Sequence, residues 1–134
     1  MNKIFATLFA AATLVAAPAF AEVVVVVNPK AAEASMTKEQ VAQFFLGKSS
    51  SMTPIDQSDA APVRAEFYKK VADKDAAQAK ALWSKLVFTG KATMPKEVAD
   101  NAAVKAAVAA NPKAIGYIEK SAVDATVKVV YTAQ

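Results

Sequence analysis

Val23 to Val27 is an unbroken run of five β-branched residues, closed by Asn28-Pro29. A strand with one wet face alternates apolar and polar positions, so an uninterrupted run predicts a strand buried on both faces. Helical periodicity follows. Thr37-Lys-Glu-Gln40 has capping-box spacing, and Val41, Phe44 and Phe45 then fall at i, i+3 and i+4, one apolar stripe that stops at Gly47. Lys48 to Thr53 reads as a Ser-rich loop and Pro54–Gln57 as a short strand. Ser58 or Asp59 caps a second helix with Pro62 in its first turn, where a missing N–H costs nothing. Val63, Phe67 and Val71 share one of its faces. A break near Asp73 leads to a third helix, Ala76 to Val87, with Ala79, Leu82, Trp83 and Leu86 inward and Phe88-Thr89-Gly90 as its end. Lys91 to Lys96 is a loop carrying Pro95. A fourth helix, Asp100 to Ala110, turns Val104 and Val108 inward and is stopped by Asn111-Pro112. Ala114–Ile118 is a further strand, in which Gly116 allows close packing, and Val127–Tyr131 is a last one, alternating enough to be an edge.

Strands alternating with helices predict an α/β layered fold: one mainly parallel sheet of about four to five strands, flanked by about four helices through right-handed crossovers. Ligands in such sheets sit beyond the carboxyl ends of the strands, against helix N-termini. That directs attention to the loops after Val27, after Gln57 and after Ile118.

The first 21 residues carry a different signal. Met1-Asn-Lys3 is a positive start, Ile4 to Val15 is apolar apart from small residues and Thr, and Ala19-Phe20-Ala21 is the small-x-small pattern a signal peptidase cuts. The apolar stretch falls short of the roughly 20 residues a membrane span needs. The expectation is a signal peptide over residues 1–21 and one exported, periplasmic domain over Glu22–Gln134, the other reading being an uncleaved N-terminal anchor.

Composition removes several chemistries. With no Cys and no His, thiol catalysis, a Cys/His zinc site and a Ser–His–Asp triad are excluded. No other nucleophile–base pair is visible, so the chain reads as a non-enzyme with no cofactor. The net charge is +4, but the Lys residues alternate with Asp and Glu along the chain. Nucleic-acid binding needs a concentrated basic face with aromatics in it, and none is formed. A mild positive balance suits a small anionic ligand and an ordinary solvated surface equally.

Two segments carry candidate chemistry. Asp56-Gln-Ser-Asp-Ala-Ala-Pro-Val-Arg64 joins a strand to a helix start, where free N–H groups and the positive end of the helix dipole face the crevice. There Ser58 can donate a hydroxyl proton and Arg64, one turn in, can fork onto an oxyanion. The other reading is a plain N-cap, with Asp59 taking the amides itself and Arg64 solvated. Phe88-Thr-Gly-Lys-Ala-Thr-Met-Pro95 is the second segment: Thr89, Gly90 and Lys91 present donors at a loop, or form an ordinary helix stop and turn. Asp73, Asp75 and Glu66 read as solubilising charges and Trp83 as core.

These residues resemble a family. Val25-Val-Val-Asn28 followed by Thr37-Lys-Glu-Gln-Val-Ala-Gln-Phe-Phe-Leu-Gly-Lys48, then Pro54-Ile55 through Arg64 and Phe67, then Asn111-Pro-Lys-Ala-Ile-Gly-Tyr117, are similar in kind and order to the C-terminal lobe of periplasmic phosphate-binding proteins of ABC transporters. The chain also resembles the short, single-lobe proteins of the phosphate transporter substrate-binding class, through Pro62-Val-Arg64, Phe67, Trp83 and Phe88-Thr-Gly-Lys91 with Pro95. The resemblance implies a periplasmic-binding-protein-like lobe and a ligand that is phosphate or another small oxyanion. Ser58, Asp59, Arg64, Thr89 and Lys91 are the candidate ligand-binding residues. The chain departs from the family's phosphate loop at Gln57, near the expected Arg, and at Ala60 and Ala61, where Gly, Ser and Thr donors stand. Each lost charge-assisted hydrogen bond is worth roughly 1.5–3 kcal/mol. The resemblance also implies partners, an inner-membrane ABC permease or a sensor. The alternative is an interaction protein on the same lobe that has lost its ligand and pairs with another protein or with its own copy.

Overall fold

A computed structural model describes residues 22–133; the predicted signal segment, 1–21, lies outside them. Five strands and four α-helices follow in the order β1 (Val23–Val27), α1 (Lys38–Phe45), β2 (Thr53–Gln57), α2 (Pro62–Val71), α3 (Ala76–Phe88), β3 (Lys96–Val98), α4 (Asn101–Ala110), β4 (Ala114–Glu119) and β5 (Lys128–Ala133). The strands form one sheet in the order β3-β2-β4-β1-β5. β2 is parallel to both β3 and β4, and β1 is antiparallel to β4 and to β5. Four strands thus share one direction and β1 alone runs against them. The sheet is mainly parallel in that sense, with a reversed strand one place from its edge.

The valine run is buried throughout because both faces of β1 are covered. Val23, Val25 and Val27 face a core with α1, α2, Ala79 of α3, Ile115, Tyr117 and Val130. Val24 and Val26 face a second core with Ile55, Val104 and Val108 of α4, and Ile118. A five-residue apolar run therefore reports two covered faces and not strand direction, since both neighbours of β1 are antiparallel. The reversal changes the sheet ends. Val27 pairs with Ile115, where β4 begins, so the loop after Val27 lies at the end opposite the loops after Gln57 and Glu119. The expectation that all three loops share one crevice is corrected on that point.

Caps fix the helices where the sequence placed them. Thr37 and Gln40 close the capping box of α1, with Gln40 N donating to Thr37 Oγ1 at 3.2 Å and Thr37 N to Gln40 Oε1 at 2.9 Å. Lys48 N returns to Gln43 O at 2.8 Å across Gly47, whose φ of 74° is the left-handed value a glycine adopts without strain. α3 opens with a second capping box, Asp75 and Gln78, and α4 with Asp100, which accepts from Ala103 N at 2.9 Å. α2 differs. Its N-cap is Ala61 with no side-chain bond, so neither Ser58 nor Asp59 caps it. Two stretches also differ from the sequence reading. Lys96–Val98 is a strand, not the end of a loop, because it pairs with Ile55–Gln57 of β2. The last strand runs to Ala133, which pairs with Val23.

Gly116 sits at the centre of the sheet beneath α4. A Cβ there would stand 2.6 Å from Val104 Cγ1 and 3.3 Å from Val108 Cγ2. Both are β-branched side chains with few rotamers in a helix, so the helix itself must move. Gly116→Ala is therefore expected to destabilise the fold by about 1–3 kcal/mol in urea unfolding. An unchanged midpoint would contradict the close α4–β4 approach.

Candidate functional site

β2 ends in Asp56 and Gln57, both buried at the carboxyl end of the parallel strands. The pleat sends their side chains to opposite faces. Gln57 Nε2 donates to Asn101 Oδ1 and to Tyr117 O, each at 2.9 Å, which pins the start of α4 to the sheet. Asp56 is 2 % exposed and faces α2. Its Oδ2 accepts from Tyr68 Oη at 2.6 Å, and its Oδ1 accepts from Tyr117 Oη in a short bond and from Gln57 N at 2.9 Å. Burial raises the Asp56 carboxyl above its ordinary range, while the two phenols and Arg64 oppose the rise. The same surroundings push both phenols well above theirs, burial first and the Asp56 charge next. Phe67 completes the cluster, stacked on Tyr117 at 4.0 Å between ring centroids.

Arg64 lies above this cluster. It is 3 % exposed, and Nη1 donates to Gln57 O at 2.8 Å and to Glu97 Oε1 at 2.6 Å. Nη1 also stands 3.2 Å from Asp59 Oδ1, and Nη2 stands 3.8 Å from Asp56 Oδ2. Burial works against its charge, but Glu97 and Asp56 outweigh it and the guanidinium is held above its usual range. Its Nε is buried with no hydrogen-bond partner among the described residues. Asp59 is turned away from the helix amides. It bonds Lys80 Nζ at 2.9 Å as well as Arg64, and those cations lower its carboxyl below the usual range, Lys80 first. Arg64 is thus buried and paired, not solvated.

The five residues singled out in the sequence do not form one group. Ser58, Asp59 and Arg64 stand together at the carboxyl end of β2. Ser58 anchors the turn, its N donating to Val98 O at 3.0 Å and its O accepting from Ala61 N at 2.9 Å, while its hydroxyl has no partner among the described residues. Thr89 Oγ1 bonds Lys85 O at 3.0 Å and Leu86 O at 3.1 Å, closing the end of α3. Lys91 lines a cavity with Thr53 and Lys96, the starts of β2 and β3, so it belongs to the other end of the sheet. Sequence reasoning missed Asp56, Tyr68, Glu97 and Tyr117. A carboxylate inside a strand directly after Ile55 was the one available signal, and its partners lie 12 and 61 residues further on. Among the described residues no acidic cluster is placed to hold a metal ion, and no helix is long and apolar enough to cross a membrane.

The network makes two predictions. Asp56→Ala removes the acceptor of two buried hydroxyls, while Glu97 and Asp59 still pair Arg64, and is expected to cost about 1–3 kcal/mol for each hydroxyl in urea unfolding. The phenols give a pH dependence. Their folded-state values are raised, so their contribution is complete below about pH 10, where unfolded tyrosine titrates, and is lost as pH rises beyond it. Stability should then fall by about 1.4 kcal/mol per pH unit for each phenol. Tyr117→Phe, which keeps the ring, should halve that slope. A flat alkaline profile in the wild type contradicts the buried phenols.

No protein-family model matches the sequence, and no curated protein matches it. Solved structures are similar in fold. A phosphate ABC transporter substrate-binding protein with bound phosphate from Clostridium perfringens superposes with a TM-score of 0.65 at 19 % identity, over 81 % of this chain and 44 % of its own. An ABC-type phosphate transport receptor from Vibrio cholerae gives 0.63 at 17 %, over 81 % and 45 %, and PstS from Borrelia burgdorferi gives 0.62 at 13 %, over 81 % and 46 %. The chain spans less than half the length of each. It resembles, in fold, one lobe of the phosphate ABC transporter substrate-binding proteins.

Proposed function

We propose that the chain is an exported, periplasmic solute-binding lobe, not an enzyme, that takes phosphate or a related small oxyanion at the Ser58–Arg64 turn. The observation that carries this reading is the uncapped N-terminus of α2. It opens at the carboxyl end of β2 with a Ser58 hydroxyl that has no partner among the described residues and with Arg64 one turn inside. Ser58 N, Ala61 N and Arg64 N are already bonded and Pro62 has no N–H, so the attraction to an anion here comes from the helix dipole, the Ser58 hydroxyl and the Arg64 charge. The fold likeness to phosphate-binding proteins supports the ligand class, and the signal-like segment over residues 1–21 supports export.

Asp59 acts as the internal competitor in this proposal. Its carboxylate already stands on Arg64 and Lys80. It is more than half exposed, so water screens these contacts and an incoming oxyanion competes with it for Arg64 and Lys80. Ala60 and Ala61 add no side-chain donors, which keeps affinity modest. Thr89 and Lys91 lie outside the proposed seat.

A second reading is favoured by one observation. Asp56, Asp59 and Glu97 all approach Arg64, so the cation is compensated without any ligand. In this reading the lobe is an interaction protein that pairs with a permease, a sensor or its own copy.

Calorimetric titration with phosphate and sulfate separates the two. The first reading expects saturable heat, several-fold tighter binding in Asp59→Asn and weaker binding in Ser58→Ala. Absence of heat up to millimolar phosphate, in wild type and Asp59→Asn alike, overturns it. A ligand-blind dimer in light scattering, or a partner retained from periplasmic extract, then supports the second.

A further inference from the structure

The 88–95 segment, set apart from Ser58–Arg64 by the fold, borders a cavity of its own. It lies between the loop after α1 and the loop after α3, is an open cleft of about 510 Å³, and is walled in part by Met52, Thr53 and Trp83. That size is in the range of small-molecule sites. Lys48 reaches it from the loop after α1, Lys91 and Lys96 from the two ends of the stretch 91–96, and no Asp or Glu among the described residues lines it. The three cavity lysines have no ion pair among the described residues. Three cations without a carboxylate partner among the described residues, around a concave wall, raise the local concentration of anions.

Both α1 and α3 terminate at this cavity, where a helix end favours cations, and several of their last carbonyls are already bonded. Lys48 N bonds Gln43 O at 2.8 Å, Lys91 N bonds Leu86 O at 2.9 Å, and Trp83 Nε1 bonds Phe45 O at 2.7 Å. Lys48 and Lys91 also suit helix C-termini by charge. Lys96 has no such role, since it begins β3.

We propose that this cleft is a second ligand site, for a small organic phosphate ester with an apolar body. The phosphate group meets Lys48, Lys91 and Lys96, and the apolar body lies against Met94, which is 42 % exposed, and Pro95, beside the buried Met52 and Trp83. An inorganic ion leaves that apolar wall uncovered, which is why the ester and not free phosphate is the better fit.

Trp83 is the only tryptophan of the chain, so its emission reports this cleft and not the Ser58–Arg64 turn. Hexyl phosphate is the probe. The expected result is a saturable change in emission, weakened by added salt, with no response to hexanol and a much weaker one to inorganic phosphate. Lys48→Gln/Lys91→Gln/Lys96→Gln, its fold checked by circular dichroism, should lose about tenfold or more in affinity, as removal of charge-assisted contacts requires. The single variant Lys96→Gln should lose part of it. Equal affinity in wild type and triple variant overturns the proposal. So does equal affinity for inorganic phosphate and the ester, or sedimentation with phosphatidylglycerol vesicles without any response to free hexyl phosphate.

Discussion

Asp56 is a carboxylate with almost no access to water, and the arrangement of the central sheet and α2 depends on how it is satisfied. It accepts hydrogen bonds from a tyrosine of α2 and a tyrosine of β4, and it stands 3.8 Å from the Arg64 guanidinium. A buried charge without such partners costs several kcal/mol. Each partner therefore has to be delivered by its own element at the correct height. α2 must begin close enough to the end of β2 for Tyr68 and Arg64 to reach it, and β4 must pair with β2 in the register that sets Ile55 against Gly116. The aromatic stack of Phe67 on Tyr117, with Phe45 edge-on at 4.7 Å from Phe67, holds the same elements together without polar groups.

That network also decides what the neighbouring helix start can do. Arg64 is drawn into the core by Asp56 and the Gln57 carbonyl, so its guanidinium is fixed in place. Its outer side meets Glu97 and Asp59, both substantially exposed. In the proposed function, an anion at the α2 N-terminus would compete with these two carboxylates and not with the buried one. The exposed carboxylates are screened by water and the buried set is not, so Arg64 is held chiefly from its inner side.

Much of the fold was legible in the chain. Local rules located α1, α3 and α4, because capping residues, apolar stripes and glycine or Asn-Pro stops act over a few residues. The Val23–Val27 run gave a strand covered on both faces. It did not give direction, since parallel and antiparallel neighbours bury a central strand alike. β3 was not visible because Lys96-Glu97-Val98 has no strand pattern of its own; its conformation comes from the edge of β2. For the site, Ser58, Asp59 and Arg64 were found together because they are neighbours along the chain. Thr89 and Lys91 were grouped with them by residue type, and the fold placed them elsewhere.

By itself the sequence determined the local elements, the two-sided burial of β1, the absence of thiol and imidazole chemistry, and the helix start at residues 58–64. Tertiary structure alone decided that β1 runs against its neighbours, that Asp59 turns to Arg64 and Lys80 instead of capping α2, and that the two candidate segments lie at opposite ends of the sheet. The division has a physical cause. Caps, turns and periodicity are set by hydrogen bonds and contacts within about one helical turn. The partner of a buried charge is chosen by which distant elements can neutralise it, and Asp56 finds Tyr117 across 61 residues.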